Sequence, residues 1–156
     1  MPDKSFSYIF REHTIEHFSF VQGQQILNEC FRVLKKGGKV RFSTPNLKFL
    51  VDLYTEPMTD VQKKYIKWVA KEFATSVPYI SDTFVINNFV RAWGHLFIYD
   101  FKSLRVALKL TGFSSIVECK SGQSSDKNFL GLDSHSKVIG EDFNLLETLV
   151  IEAKKA

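Results

Sequence analysis

The densest polar cluster in the chain is Arg11-Glu12-His13-Thr14-Ile15-Glu16-His17. Within it, His13-x-x-Glu16-His17 has the spacing of the inverted zinc-protease motif. On a helix, residues four apart share a face, so two histidines can bind one Zn²⁺ while the glutamate serves as base. That chemistry needs a third ligand and a long helix. Neither is evident: the cluster follows an aromatic, β-branched run by a residue or two, and Phe18 to Phe20 crowd its other end. The competing reading is a polar strand-to-helix turn whose side chains bond one another. A zinc hydrolase using His13, Glu16 and His17 is kept as the lesser alternative, and no metal site is assigned.

A second cluster is Asn87-Asn88-Phe89-Val90-Arg91-Ala92-Trp93-Gly94-His95. His95 precedes Leu96-Phe97, beside an apolar wall, and is the candidate catalytic base. A lone histidine among aromatics also serves as a hydrogen-bonded structural residue. Phe89 and Trp93 are candidates to line a substrate pocket, with core packing as the competing role. Asp133-Ser134-His135-Ser136 contains a nucleophile and a base, but neighbours in sequence seldom form a triad. Gly37-Gly38 ends a helical pattern, whereas a phosphate-binding loop must begin one. No G-x-G-x-x-G, Walker motif or paired metal cysteines occur.

The elements that position these residues follow from periodicity. Ser5 to Phe10 reads as a short strand, and Glu12 to Phe20 as a turn or short helix. Gly23 to Lys35 carries Ile26, Leu27, Cys30, Phe31, Val33 and Leu34 at helical spacing. Lys35-Lys36-Gly37-Gly38 is expected to close that helix, with glycine in the left-handed cap conformation. Lys39 to Thr44 alternates as a strand that Pro45 stops. Strand, helix, strand is a βαβ unit, hence a parallel pair with a right-handed crossover. Helices are expected over Leu47 to Tyr54, Asp60 to Phe73 and Asp82 to Ala92. Another runs from the Asp100 cap through Leu110 to Thr111-Gly112. Phe113 to Cys119 and Leu146 to Ala153 read as strands, and Ser121 to Asp126 as a loop. Residues 46–98 interrupt the alternation and read as a helical insertion or lid. In such folds ligands bind beyond the carboxyl ends of parallel strands. Glu12-His13 and Thr44-Pro45-Asn46 lie past two such ends and would frame one crevice.

The 156 residues suit a single domain, 1–156. A hydrophobic fraction of 44% with 15 phenylalanines supplies a core and argues against disorder. The net charge of +4 comes from scattered pairs such as Lys35-Lys36, Lys63-Lys64 and Lys154-Lys155, so no nucleic-acid footprint is expected. No apolar run is long enough for a membrane span, and Met1-Pro2-Asp3-Lys4 lacks a signal-peptide shape. Cys30 and Cys119 have no C-x-x-C spacing, as expected of reduced thiols in a cytoplasmic protein.

Taken in order, these segments resemble a known family. Ser5-Phe6-Ser7-Tyr8-Ile9-Phe10 followed by Glu12-His13-x-x-Glu16-His17 resembles the strand and turn of class I S-adenosylmethionine-dependent methyltransferases of the methyltransferase type 11 kind. Glu29 to Arg41, with Val33-Leu34-Lys35-Lys36-Gly37-Gly38 at its centre, is similar to that family's next helix and strand, with Lys36 where proline is usual. Thr44-Pro45-Asn46, Trp93-Gly94-His95, Gly112-Phe113 and the terminal strand to Glu152 also fit.

The resemblance implies an α/β fold: a truncated class I methyltransferase (Rossmann-like) sheet, with parallel strands plus a C-terminal antiparallel hairpin and a helical insertion. It covers the fourth strand onward of a seven-stranded sheet. The glycine-rich cofactor loop and the ribose-binding acid come earlier in the family, before the position that Met1 takes, and are expected to be missing here. S-adenosylmethionine is the implied cofactor with most of its site missing, its remaining contacts being Arg11, Glu12 and His13. Asn46, Phe89 and Trp93 are the candidate acceptor-binding residues and His95 the candidate catalytic one. Methyl transfer to a small-molecule acceptor is expected to be weak or absent in the chain alone. In the family's strand order the missing first strand neighbours the fourth, so Ser5 to Phe10 would be an exposed edge that invites a homo-oligomer or a partner chain. The alternative is a non-catalytic binding or scaffold module that pairs through this edge.

Overall fold

The computed structural model describes residues 1–73, 79 and 81–156, so residues 74–78 and 80 of the insertion lie outside the described residues. Four strands form one sheet: β1 (Phe6–Glu12), β2 (Leu34–Pro45), β3 (Phe113–Cys119) and β4 (Thr148–Lys155), in the order β1-β2-β4-β3. β1 and β2 are parallel, whereas β4 runs antiparallel to both β2 and β3. The expected parallel pair and C-terminal antiparallel pair are therefore both present, in a Rossmann-like α/β arrangement. β1 pairs on one side only, and its Phe6 and Tyr8 are 39% and 42% exposed.

The crossover from β1 to β2 is α1 (Phe20–Val33). Ser19 begins it with a capping box: its hydroxyl accepts from the Gln22 N–H while the Gln22 side chain accepts from the Ser19 N–H. The helix thus starts before Gly23, which lies inside it. A Cβ at residue 23 would stand 2.3 Å from the Tyr99 hydroxyl, so glycine there serves close packing and does not mark a boundary.

The Gly37-Gly38 pair corrects a second expectation. α1 ends at Val33, and the glycines lie in the opening stretch of β2. There Phe6 pairs with Leu34 but Tyr8 pairs with Lys39, so β2 carries extra residues against β1. Gly37 takes φ +77°, and a Cβ on Gly38 would meet the carbonyl oxygens of Lys35 at 2.9 Å and Ser7 at 3.1 Å. Backbone cannot yield as a flexible side chain can. The pair therefore makes a bulge where two strands approach closely.

α5 (Phe101–Thr111) is capped by Asp100, which accepts from the Ser103 N–H, and Gly112 at φ +107° closes it. α1 and α5 cover one face of the sheet around Leu27, Phe42, Leu104, Leu108 and Ile151. The opposite face carries Arg41 and the segment 120–135, where Phe129 meets the Tyr8 ring edge-on at 5.5 Å. Insertion helices α2 (Leu47–Tyr54), α3 (Asp60–Phe73) and α4 (Asp82–Arg91) build a second apolar cluster from Phe49, Leu53, Tyr65, Val69, Val85 and Phe89. Two short helices, α6 (Ser136–Ile139) and α7 (Glu141–Glu147), precede β4 and were not expected. Leu146 and Glu147 end α7, so the last strand starts at Thr148 instead of Leu146. Among the described residues no helix is long and apolar enough to cross a membrane. Cys30 and Cys119 are free thiols, each pushed up by burial.

Candidate active site

Just past the carboxyl ends of β1 and β2 lies a cavity of about 260 Å³. Its polar wall is the turn after β1, with His13, Glu16 and His17, joined by His95, His135 and Glu147. Its apolar wall is Tyr65, Trp68 and Phe73 of α3 with Phe89 and Trp93 from α4 and the turn beyond it.

The turn is built tightly. β1 ends at Glu12, His13 takes φ +44°, and Ile15–His17 form a single 3₁₀ turn. The main-chain oxygen of Glu16 accepts from the N–H groups of Leu96 (2.8 Å) and Phe97 (3.1 Å), which fastens the turn to the end of the insertion. The Glu16 side chain is fully buried. Its Oε2 accepts from the Thr44 hydroxyl at 3.0 Å, while its Oε1 has His13 Nδ1 at 3.5 Å and His17 Nε2 at 3.9 Å. Burial raises this carboxyl, but the His13 ring, the turn's own N–H and Thr44 outweigh it and hold the group below the usual range.

His95 is fixed by Nδ1, which lies 2.7 Å from the Phe89 carbonyl oxygen. A carbonyl only accepts, so Nδ1 carries the proton and Nε2 keeps a free lone pair. Burial lowers His95 from its ordinary value and favours the neutral ring. The His13 and His135 rings meet at a tilt of 36°, with centroids 3.9 Å apart. His135 Nε2 stands 3.1 Å from Glu147 Oε1, and the other Glu147 oxygen accepts from the Tyr65 hydroxyl.

The structure gathers His13, Phe89, Trp93 and His95 at this cavity. It does not bring the other three candidates there. Glu12 is beside it, but its carboxylate accepts from the Ser134 N–H (2.8 Å), the Ser134 hydroxyl (2.7 Å) and the His135 N–H (3.0 Å). Arg11 alternates to the opposite face of β1 and lines a separate hollow with Thr14, Ile15 and Phe18. Asn46 caps α2, accepting from the Lys48 N–H at 3.0 Å, and Pro45 reaches the cavity in its place. The inverted zinc-protease geometry is also absent, because the left-handed His13 and the 3₁₀ turn supply no helix face that carries both His13 and His17. Tyr65, Trp68 and Glu147 were missed, and His135 was weighed only as part of a Ser-His pair and set aside. Tyr65 and Trp68 sit three apart on α3 and share a face, a signal present in the sequence. His135 and Glu147 meet only because α6 and α7 fold back, which no local pattern announces.

Among the described residues at this cavity, no carboxylate stands free for the ribose of S-adenosylmethionine. A ribose calls for a free carboxylate, yet those of Glu12 and Glu147 are both engaged and Glu16 is fully buried.

Residues 1–42 match a family model described as a methyltransferase domain. No curated protein matches the chain. Among solved structures, a SAM dependent methyltransferase from Archaeoglobus fulgidus matches over 99% of this chain and 62% of its own, with 18% identity and a TM-score of 0.52. A SAM-dependent methyltransferase from Thermotoga maritima matches over 100% and 59%, with 16% identity and a TM-score of 0.50. The chain thus spans about three fifths of the length of these proteins, and at such identities the likeness is one of fold. Residues 1–42 are thus similar in sequence to a methyltransferase domain, and along its whole length the chain shares the fold of these methyltransferase structures.

Proposed function

We propose that this chain forms the acceptor-side part of an S-adenosylmethionine-dependent methyltransferase, and that its aromatic cavity receives the group to be methylated. The observation that carries this reading is the cavity's position beyond the ends of the parallel pair β1 and β2, where α/β folds bind ligands. Five aromatic rings suit a planar or apolar acceptor. His95, neutral and with Nε2 free, is the proposed proton acceptor. The nucleoside of the cofactor requires groups outside these residues, so the chain alone is expected to bind it poorly.

Both tryptophans of the chain, Trp68 and Trp93, line the cavity, so intrinsic fluorescence reports its occupancy. With 2-naphthol as a planar probe, saturable quenching is expected, and Phe89→Ala should weaken it about tenfold or more. Calorimetry with S-adenosylhomocysteine should show no binding tighter than about millimolar. Micromolar affinity for S-adenosylhomocysteine, or naphthol quenching that never saturates, would contradict the reading.

The free edge of β1 favours a second property. Phe6 and Tyr8 are exposed on a strand with one open side, which is a template for pairing. We propose that two copies of the isolated chain meet there. Light scattering should report a dimer or larger species that Tyr8→Lys shifts toward monomer, whereas a monomer at high concentration would refute self-pairing.

A further inference from the structure

We propose that Glu16, His17 and His95 form a binding site for a divalent transition-metal ion at the floor of the cavity. One ligand atom from each of the three lies within 4.8 Å of the other two. They arrive from distant segments. Glu16 and His17 belong to the 3₁₀ turn after β1, and His95 follows the Trp93-Gly94 turn, where both residues have positive φ. The hydrogen bonds from Leu96 and Phe97 to the Glu16 main-chain oxygen hold the two segments together independently of any ion.

Three features distinguish this group from a chance cluster. Glu16 Oε1 is buried and has no well-formed hydrogen bond: His13 Nδ1 stands at 3.5 Å, the outer limit of bonding distance, and His17 Nε2 at 3.9 Å. A buried carboxylate oxygen without a partner is costly, and a cation at this point would satisfy it. The outer partners are those that aim metal ligands: His95 donates Nδ1–H to the Phe89 carbonyl, which leaves Nε2 for a metal, and the second Glu16 oxygen is held by Thr44. The ligand set of two imidazoles and one carboxylate is that of open zinc sites, which leave a fourth position for water or substrate. Here that position faces the aromatic cavity. The site replaces His13 of the inverted zinc-protease spacing with His95, from a distant segment of the chain. It stands on these contacts and not on the methyltransferase reading, and a bound ion would occupy the His95 Nε2 lone pair that otherwise accepts a proton.

The metal-free chain would be titrated with Co²⁺ and followed by visible absorption, with Zn²⁺ then added as a competitor. One Co²⁺ per chain is expected, with ligand-field bands that Zn²⁺ abolishes. His17→Ala and His95→Ala should each weaken binding at least about tenfold, and His13→Ala by less than about threefold. The His17 side chain is 39% exposed, so His17→Ala keeps the fold and its result stands whatever His95→Ala does to stability. Absence of ligand-field bands at millimolar Co²⁺ would overturn the site. So would affinity unchanged by His17→Ala, or a loss on His13→Ala as large as that on His17→Ala.

Discussion

Replacing Arg41 with alanine is expected to lower the free energy of unfolding by about 3–5 kcal/mol. Alternation along β2 turns Phe42 toward α1 and α5 and sends Arg41 to the opposite face, where the segment 120–135 covers it completely. The guanidinium donates to both Asp133 oxygens, to Glu152 on the neighbouring strand β4, and to the carbonyl oxygens of Lys120 and Gln123. It thus meets two carboxylates and ties the covering segment to the sheet. Alanine would leave Asp133 and Glu152 buried without a counter-charge, which is the expensive way to break an ion pair. Lysine would not replace it, because one ammonium cannot reproduce a planar fork. The combined change of Arg41→Met, Asp133→Leu and Glu152→Leu should cost less than Arg41→Ala, since no charge is orphaned. Urea unfolding checks both through the midpoint at constant slope. A loss below about 1 kcal/mol for Arg41→Ala would show that water reaches the pair and that the covering segment is loosely held.

The same segment shows how far the site could be read in advance. Ser134 and His135 follow Asp133 directly, and their N–H groups hold the Glu12 carboxylate at the end of β1. Glu12 was visible as a strand-end acid, but its partners lie more than a hundred residues away and follow no periodic pattern. Elements with a strong local period were legible: Leu47–Tyr54, Asp60–Phe73 and Phe113–Cys119 fall where spacing puts them. Glycine misled twice for one reason. Gly23 and Gly38 are present because another part of the chain comes close, at Tyr99 and at Ser7 respectively, and local reading took both for helix ends. The strand-end argument located the crevice, whereas strand alternation and capping decided which residues faced it. Arg11 was lost to the first and Asn46 to the second.

Tyr65→Ala should destabilise the protein by about 3–5 kcal/mol, the range for removing a fully buried aromatic ring, and should also open the cavity. Tyr65 is 1% exposed at the centre of the insertion's cluster, with Phe49, Trp68, Phe89 and Phe143 around its ring. Its hydroxyl reaches Glu147, the last residue of α7 before β4, so one residue joins α3 to α7. Burial, with the Glu147 carboxylate beside it, pushes Tyr65 ionisation far above its ordinary value, and the hydroxyl remains a neutral donor at any working pH. Tyr65→Phe separates the two contributions. It keeps the ring and removes one charge-assisted hydrogen bond, for about 1.5–3 kcal/mol. Because Glu147 also faces His135 at 3.1 Å, losing the tyrosine hydroxyl leaves the histidine as its remaining side-chain partner. The two variants should therefore differ in fluorescence as well as stability. Tyr65→Ala exposes Trp68 and shifts emission to the red, while Tyr65→Phe leaves emission near wild type. Equal stability losses in the two variants would assign the whole effect to the Glu147 hydrogen bond and none to the ring. That result would mean that the aromatic cluster closes over the missing side chain.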